Sequence, residues 1–251
     1  MTAGEIAVLL GGGLTAGVVN AIAGGGSLIT FPLLVALGLP GVAANVSNAL
    51  SVAPGYAASA VGSRPDLTGQ GRRILTIIPT IVAGALGGSA LLLFTPRAVF
   101  DIVVPFLLLL AAAMMAFQTR LRALAGHPRD SSPRKVTVLV QVAVFLCGLY
   151  GGYFNAAMGL LLIAALALVL DEPLRRIGAL KNVFSAVVGV TTVLTYSLFG
   201  PVNWAVVAVL APATVVGGFA GAKVARHLPS EVLRWTIVVF AVAVAVALFL
   251  T

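Results

Sequence analysis

Apolar runs long enough to cross a lipid bilayer recur from one end of this 251-residue chain to the other. Hydrophobic residues make up 60% of it and charged residues only 9%, a balance that no water-soluble domain of this size can hide. The expected fold class is therefore all-α, a polytopic transmembrane bundle whose principal partner is the lipid bilayer. The first residues, MTAGEIAVLL, carry no positive leader and include Glu5, so the first apolar run is expected to be retained. One cysteine, Cys147, allows no intramolecular disulfide. The net charge of +8 is read as lysine and arginine kept in cytoplasmic loops, with no nucleic-acid partner.

Proline, glycine and charge clusters cut the chain into ten segments. In the first half these are about 4 to 22, 27 to 38, 41 to 62, 74 to 94 and 98 to 118; in the second, about 136 to 154, 158 to 170, 174 to 198, 203 to 224 and 231 to 250. The second segment of each half rises only roughly 18 to 20 Å, against a hydrocarbon core of roughly 30 Å. Both are expected to be half-helices.

The halves resemble each other. GVVNAIAGG at 17 to 25 aligns with GYFNAAMGL at 152 to 160, and PTIVAGALGG from Pro79 aligns with PATVVGGFAG from Pro212. Two matches in the same order at nearly constant offset point to an internal duplication, with repeats at 1–118 and 136–251 joined by a loop at 119–135. Five segments per half is an odd number, so the second copy is expected to enter from the opposite side. The loop charges agree with that expectation. SRPDLTGQGRR after the third segment is basic and its counterpart FGPVN is uncharged, whereas LGLPG is uncharged and its counterpart DEPLRR carries Arg175 and Arg176. With the central loop in the cytoplasm, every lysine and arginine except Arg97 lies inside and both termini face outward.

The break at Gly24, Gly25 and Gly26 is the most pointed local feature. Backbone amides stay unpaired at membrane depth only where protein or a water-filled cavity satisfies them. In inverted-repeat transporters such breaks lie near the midplane, where the amino ends of half-helices suit an anion. Ser27 is read as the amino cap of the half-helix that follows, and Asn20, Asn155 and Gly159 complete the duplicated breaks. Gly84, Gly87, Gly88, Gly217, Gly218 and Gly221 are read instead as close helix packing. Polar residues also recur just after each half-helix, as Asn45, Ser47 and Asn48 in NVSNAL and as Lys181 and Asn182 in LKNVFS. Lys181 has two readings, a cation for a bound anion or a side chain snorkelling to the interface beside Arg175 and Arg176. The asparagines have two as well, substrate contact or interhelical hydrogen bonds, with Asn45 assigned to the second. Tyr56, Tyr150, Tyr153 and Tyr196 are left outside the site as ordinary interfacial aromatics.

Enzyme chemistry finds no support. There is no HExxH, paired cysteine or phosphate loop; His127 and His227 fall in expected loops, and all seven carboxylates lie in loops or near segment ends. No cofactor or metal is called for. Anion export needs no coupling ion, since a negative interior favours outward movement of one negative charge by roughly 2.3 kcal/mol per 100 mV.

On its GxxNAIAGGGSLITFPLL run at 17 to 34, its GLPxxAANxSN stretch at 38 to 48 and the weaker GGYFNAAMG copy, the chain resembles the TauE/SafE sulfite exporters, also called TSUP permeases. The resemblance covers nearly the whole chain. It implies a multi-pass transporter of a bacterial inner membrane that exports small sulfur-containing anions such as sulfite or organosulfonates. The family's second repeat often has its own glycine run, whereas this chain reads NAAMGLL and keeps only Gly159. The expected substrate site is then Asn20, Gly24, Gly25, Gly26 and Ser27 from one side, Asn155 and Gly159 from the other, with Ser47, Asn48, Lys181 and Asn182 completing it. A passive anion channel and a membrane assembly or chaperone subunit are the alternatives. A homodimer through the small-residue face at Gly84 to Gly88 is a further expectation, the same face being equally able to pack inside one subunit.

Overall fold

A computed structural model of the chain describes residues 1–22, 24–117, 120 and 133–224, together with 235, 238, 239, 242, 243, 245 and 246. Most of the expected tenth segment and of the 119–135 loop, with His127, Asp130, His227 and Glu231, lies outside the described residues. Regular structure among those described is helical: α1 Ala3–Ile22, α2 Ser27–Ala36, α3 Gly41–Gly62, α4 Gly71–Phe94, α5 Arg97–Ala116, α6 Pro133–Tyr153, α7 Met158–Val169, α8 Leu174–Phe199 and α9 Trp204–Val224. A turn of 3-10 helix, Arg64–Leu67, follows α3. α2 and α7, at 10 and 12 residues, are the two half-helices.

Six of these helices are long and apolar enough to span a bilayer, namely α1, α4, α5, α6, α8 and α9. Their outward faces carry bare Phe94, Ile102, Leu194, Leu198 and Phe199, a cost in water but none in lipid. The chain is an integral, multi-pass membrane protein. α3 has 22 residues but is less apolar, because Asn45, Ser47, Asn48, Ser51 and Ser59 replace aliphatic side chains along it. All five are buried, so α3 is wrapped by other helices rather than by lipid.

Helix pairing is reciprocal between the halves. α1 lies along α9, and α4 lies along α6, while α3 is packed between α9 and α8. Small residues set these crossings. A methyl at Gly17 would sit 2.5 Å from the Thr214 carbonyl, and one at Gly88 2.0 Å from that of Leu149. Gly84 likewise faces Phe145 of α6, so the small-residue face considered for a homodimer is used inside the subunit. Gly217 and Gly221 meet Leu14 and Val18 of α1, as helix-packing glycines should.

The connections gather at two ends. At one, Arg73 and Arg176 both reach Glu172 at 2.8 Å, Arg175 pairs with Asp66 at 2.7 Å, and Arg176 donates to the Thr68 carbonyl at 2.6 Å. The links after α3 and α7, with the arginines that flank them, therefore share a face. At the other end Met1, Glu5, Leu37, Leu39 and Asn203 line a cavity of about 220 Å³, which puts the uncharged links after α2 and α8 together.

Candidate functional site

The first break begins where α1 stops at Ile22. The Gly24 N–H closes back on the Val19 carbonyl at 3.0 Å, with φ +83°, a left-handed conformation that glycine adopts without a side-chain clash. The chain then reverses and runs back along α1. The Gly26 N–H donates to Asn20 Oδ1 at 2.7 Å, and a methyl at Gly26 would lie 2.1 Å from the Ala16 carbonyl. Ser27 is not the amino cap expected of it. Gly26 occupies the cap position, and a side chain of the preceding helix, Asn20, supplies the acceptor, so Ser27 is the first helical residue.

The second break lies between α6 and α7 and is built differently. Asn155 and Ala157 take left-handed conformations, φ 64° and 56°, in place of a glycine run. Asparagine visits this region readily; alanine there costs about 1–2 kcal/mol. The loop is tied down by the Tyr150 hydroxyl donating to the Ala156 carbonyl at 2.7 Å and by the Met158 N–H reaching the Asn155 carbonyl at 3.2 Å.

The two breaks touch. A methyl at Gly24 would fall 2.5 Å from Gly159 Cα, and one at Gly159 would fall 2.5 Å from Gly24 Cα, so the backbones cross with no side chain between them. Beside this crossing runs Lys181, fully buried, whose Nζ donates to the Asn20 carbonyl at 2.6 Å and to the Ala21 carbonyl at 3.3 Å. A cation at the carboxyl end of α1 satisfies carbonyls that the break sets free and suits the helix dipole. Lys181 does not reach the interface, so the snorkelling reading is set aside.

Tyr56 of α3 lies between the breaks. Its hydroxyl donates to Asn155 Oδ1 at 3.3 Å and lies close to the Ser27 hydroxyl, outside good hydrogen-bond geometry. One turn into α2, the Thr30 hydroxyl donates to Asn48 Oδ1 at 2.5 Å. Three buried groups remain unpaired in this neighbourhood: Ser27 Oγ, Asn48 Nδ2 and Asn155 Nδ2. Orphaned buried polar atoms are few in folded proteins, and each calls for a reason.

Asn20, Gly24, Gly25, Gly26, Ser27, Asn155 and Gly159 thus form the two breaks, with Lys181 and Asn48 adjoining. Ser47 and Asn182 turn elsewhere. Ser47 Oγ accepts the Asn203 N–H at 2.9 Å, at the end away from the arginines, and Asn182 Nδ2 donates to Ser63 Oγ at 2.7 Å. Asn45 joins helices, donating to the Tyr153 carbonyl at 2.8 Å. Sequence reasoning missed Thr30 and set Tyr56 aside. A signal for Tyr56 existed: Asn45, Asn48, Tyr56, Ser59 and Ser63 fall on one helical stripe, with Val52 the single apolar position in it.

Residues 9–248 match the family described as sulfite exporter TauE/SafE. A probable membrane transporter protein of Haemophilus influenzae is 26% identical over 234 residues, covering 93% of this chain and 90% of its own length. The probable membrane transporter protein YfcA of Escherichia coli is 26% identical over 222 residues, 86% of this chain and 77% of the relative. A third, the probable membrane transporter protein ORF9 of a Sinorhizobium species, is 24% identical over 252 residues, 97% of this chain and 92% of the relative. No solved structure matches the chain significantly.

Proposed function

The chain belongs to the TauE/SafE family of membrane transporters, and on that footing we propose that it exports a small sulfur-containing anion, of the sulfite or organosulfonate class, by alternating access. The observation that carries this reading is the set of unpaired buried groups, Ser27 Oγ, Asn48 Nδ2 and Asn155 Nδ2, around the contact of Gly24 with Gly159. A buried donor without a partner costs about 1–3 kcal/mol. The oxygens of a sulfite or sulfonate group would satisfy all three at once, and the Lys181 ammonium would offset the charge. Chemistry on the anion is not required.

Alternation follows from the crossing itself. With the Gly24 and Gly159 backbones in contact, an anion can enter between the breaks only if the two halves separate there. One break belongs to 1–118 and the other to 136–251, so separation toward either end is a movement of one half against the other. The reciprocal pairing of α1 with α9 and of α4 with α6 supports two inverted repeats, and the basic loops favour placing the arginine-rich end in the cytoplasm, with both termini outside, in a bacterial inner membrane.

The test is uptake of labelled sulfite into proteoliposomes under an imposed potential, with sulfoacetate as competitor. Saturable, potential-sensitive flux that collapses in Asn20→Ala and Asn155→Ala is the expected result. Flux unchanged in both variants would sink the site. Flux that grows without saturating would identify a passive channel, and no flux above empty vesicles would refute the substrate class.

A further inference from the structure

At the arginine-rich end a cavity of about 450 Å³ opens between the amino end of α4, the first turns of α6 and the link from α7 to α8. Its wall includes Gly69, Gln70, Arg72, Arg73, Thr76 and Glu172. α4 is 24 residues long, and Gln70 at its cap position makes no side-chain cap bond, so the first-turn N–H groups and the positive end of the helix dipole face this region. Gln70 is itself only 2% exposed. Its Oε1 accepts from Arg73 Nη1 at 2.6 Å, which leaves Nε2 buried without a partner against the cavity.

The charges at the wall do not balance. Glu172 is the sole carboxylate among the described lining residues, and its two oxygens are already divided between Arg73 and Arg176. Arg72, exposed and pointing along the same wall, adds a charge that no described carboxylate meets. An uncapped helix end, an orphan amide donor and an uncompensated guanidinium converge on one volume, and all three favour an anion.

We propose that this cavity is a second anion site, distinct from the helix breaks, which holds a small oxoanion of the transported class before it reaches Gly24 and Gly159. The kind of oxoanion rests on the export reading; the existence of the site does not. The site is tested by modification of the purified protein in lipid nanodiscs with phenylglyoxal, followed residue by residue by mass spectrometry at constant ionic strength. Sulfate or methanesulfonate, neither of which reacts with phenylglyoxal as sulfite does, is expected to slow modification of Arg72 about tenfold relative to chloride, and Gln70→Leu to remove most of that protection, as loss of one hydrogen bond to a charged group implies. Arg72→Gln, at an exposed position, should raise the half-saturating sulfite concentration from this face about tenfold, and an unchanged value would count against the site. Arg72 modified at the same rate with and without sulfate or methanesulfonate would overturn the proposal, as would protection that survives Gln70→Leu. Saturable flux with Arg72 unprotected would remove this site and spare the export reading; protection without flux would do the reverse.

Discussion

The contact between the two helix breaks predicts an order of stabilities among four glycine-to-alanine variants. Gly178 lies in α8 with open space around it, so Gly178→Ala meets nothing and should gain about 1 kcal/mol from helix propensity. Gly38 also has open space but a φ of +88°, so Gly38→Ala should lose about 1–2 kcal/mol to backbone strain alone. Gly159 has no such φ, and its methyl would meet Gly24 Cα at 2.5 Å and Lys181 Cδ at 3.1 Å. Backbone cannot give way as a side chain does, so Gly159→Ala should lose about 1–3 kcal/mol by overpacking. Gly24 combines both penalties, φ +83° and 2.5 Å to Gly159 Cα, and Gly24→Ala should lose about 2–5 kcal/mol. The double variant should fall short of the sum by at least about 0.5 kcal/mol, since the first methyl already forces the backbones apart. Denaturant unfolding in mixed micelles measures all five variants against the wild type on one scale. Gly159→Ala as stable as Gly178→Ala, or strict additivity at Gly24 and Gly159, would refute the contact and with it the argument that the halves must separate to admit an anion.

Lys181→Met should cost about 2–3 kcal/mol in the same assay, because the Asn20 and Ala21 carbonyls lose their ammonium donor. Lys181→Arg should fail to restore it, since nothing of this side chain is exposed and a guanidinium has no room to reach past the crossing; a snorkelling lysine would accept the change. In a Cys147→Ser background, Pro201→Cys should react with an impermeant maleimide added to intact cells and Thr68→Cys only after permeabilisation; the opposite pattern would invert the proposed orientation.

Segment lengths and the first break were legible because both follow from local constraints. A 10-residue apolar helix cannot span a bilayer, and a glycine run in an apolar stretch has few other uses. The geometry of the second break was less open to reading, since Asn155 and Ala157 adopt positive φ without the residue that usually signals it. The polar clusters show a different limit. Successive residues on a helix point about 100° apart, so adjacent polar residues can serve unrelated partners. Lys181 turns to the end of α1 and Asn182 to Ser63; Asn48 turns to Thr30 and Ser47 to Asn203. Composition locates such a cluster, but only the packed neighbours decide which member faces the breaks.

The duplicated motifs gain a physical meaning from the same packing. GVVN in α1 lies against the PATVVGGFAG stretch of α9, where Gly17 meets Thr214, Gly217 and Gly218. Its counterpart GYFN begins at Gly152 near the end of α6 and lies against the PTIVAGALGG stretch of α4, where that glycine meets Ala85 and, one residue past the stretch, Ser89. Each half's first motif is therefore the packing partner of the other half's second motif. Neither half closes its own glycine surface, since the small residues that let α1 approach are on α9 and those that receive α6 are on α4. A half expressed alone would leave both surfaces and its own break unpartnered in lipid, where bare backbone is most costly. It is this crosswise dependence, more than the apolar runs, that brings Gly24 from one half against Gly159 from the other and places the candidate site between them.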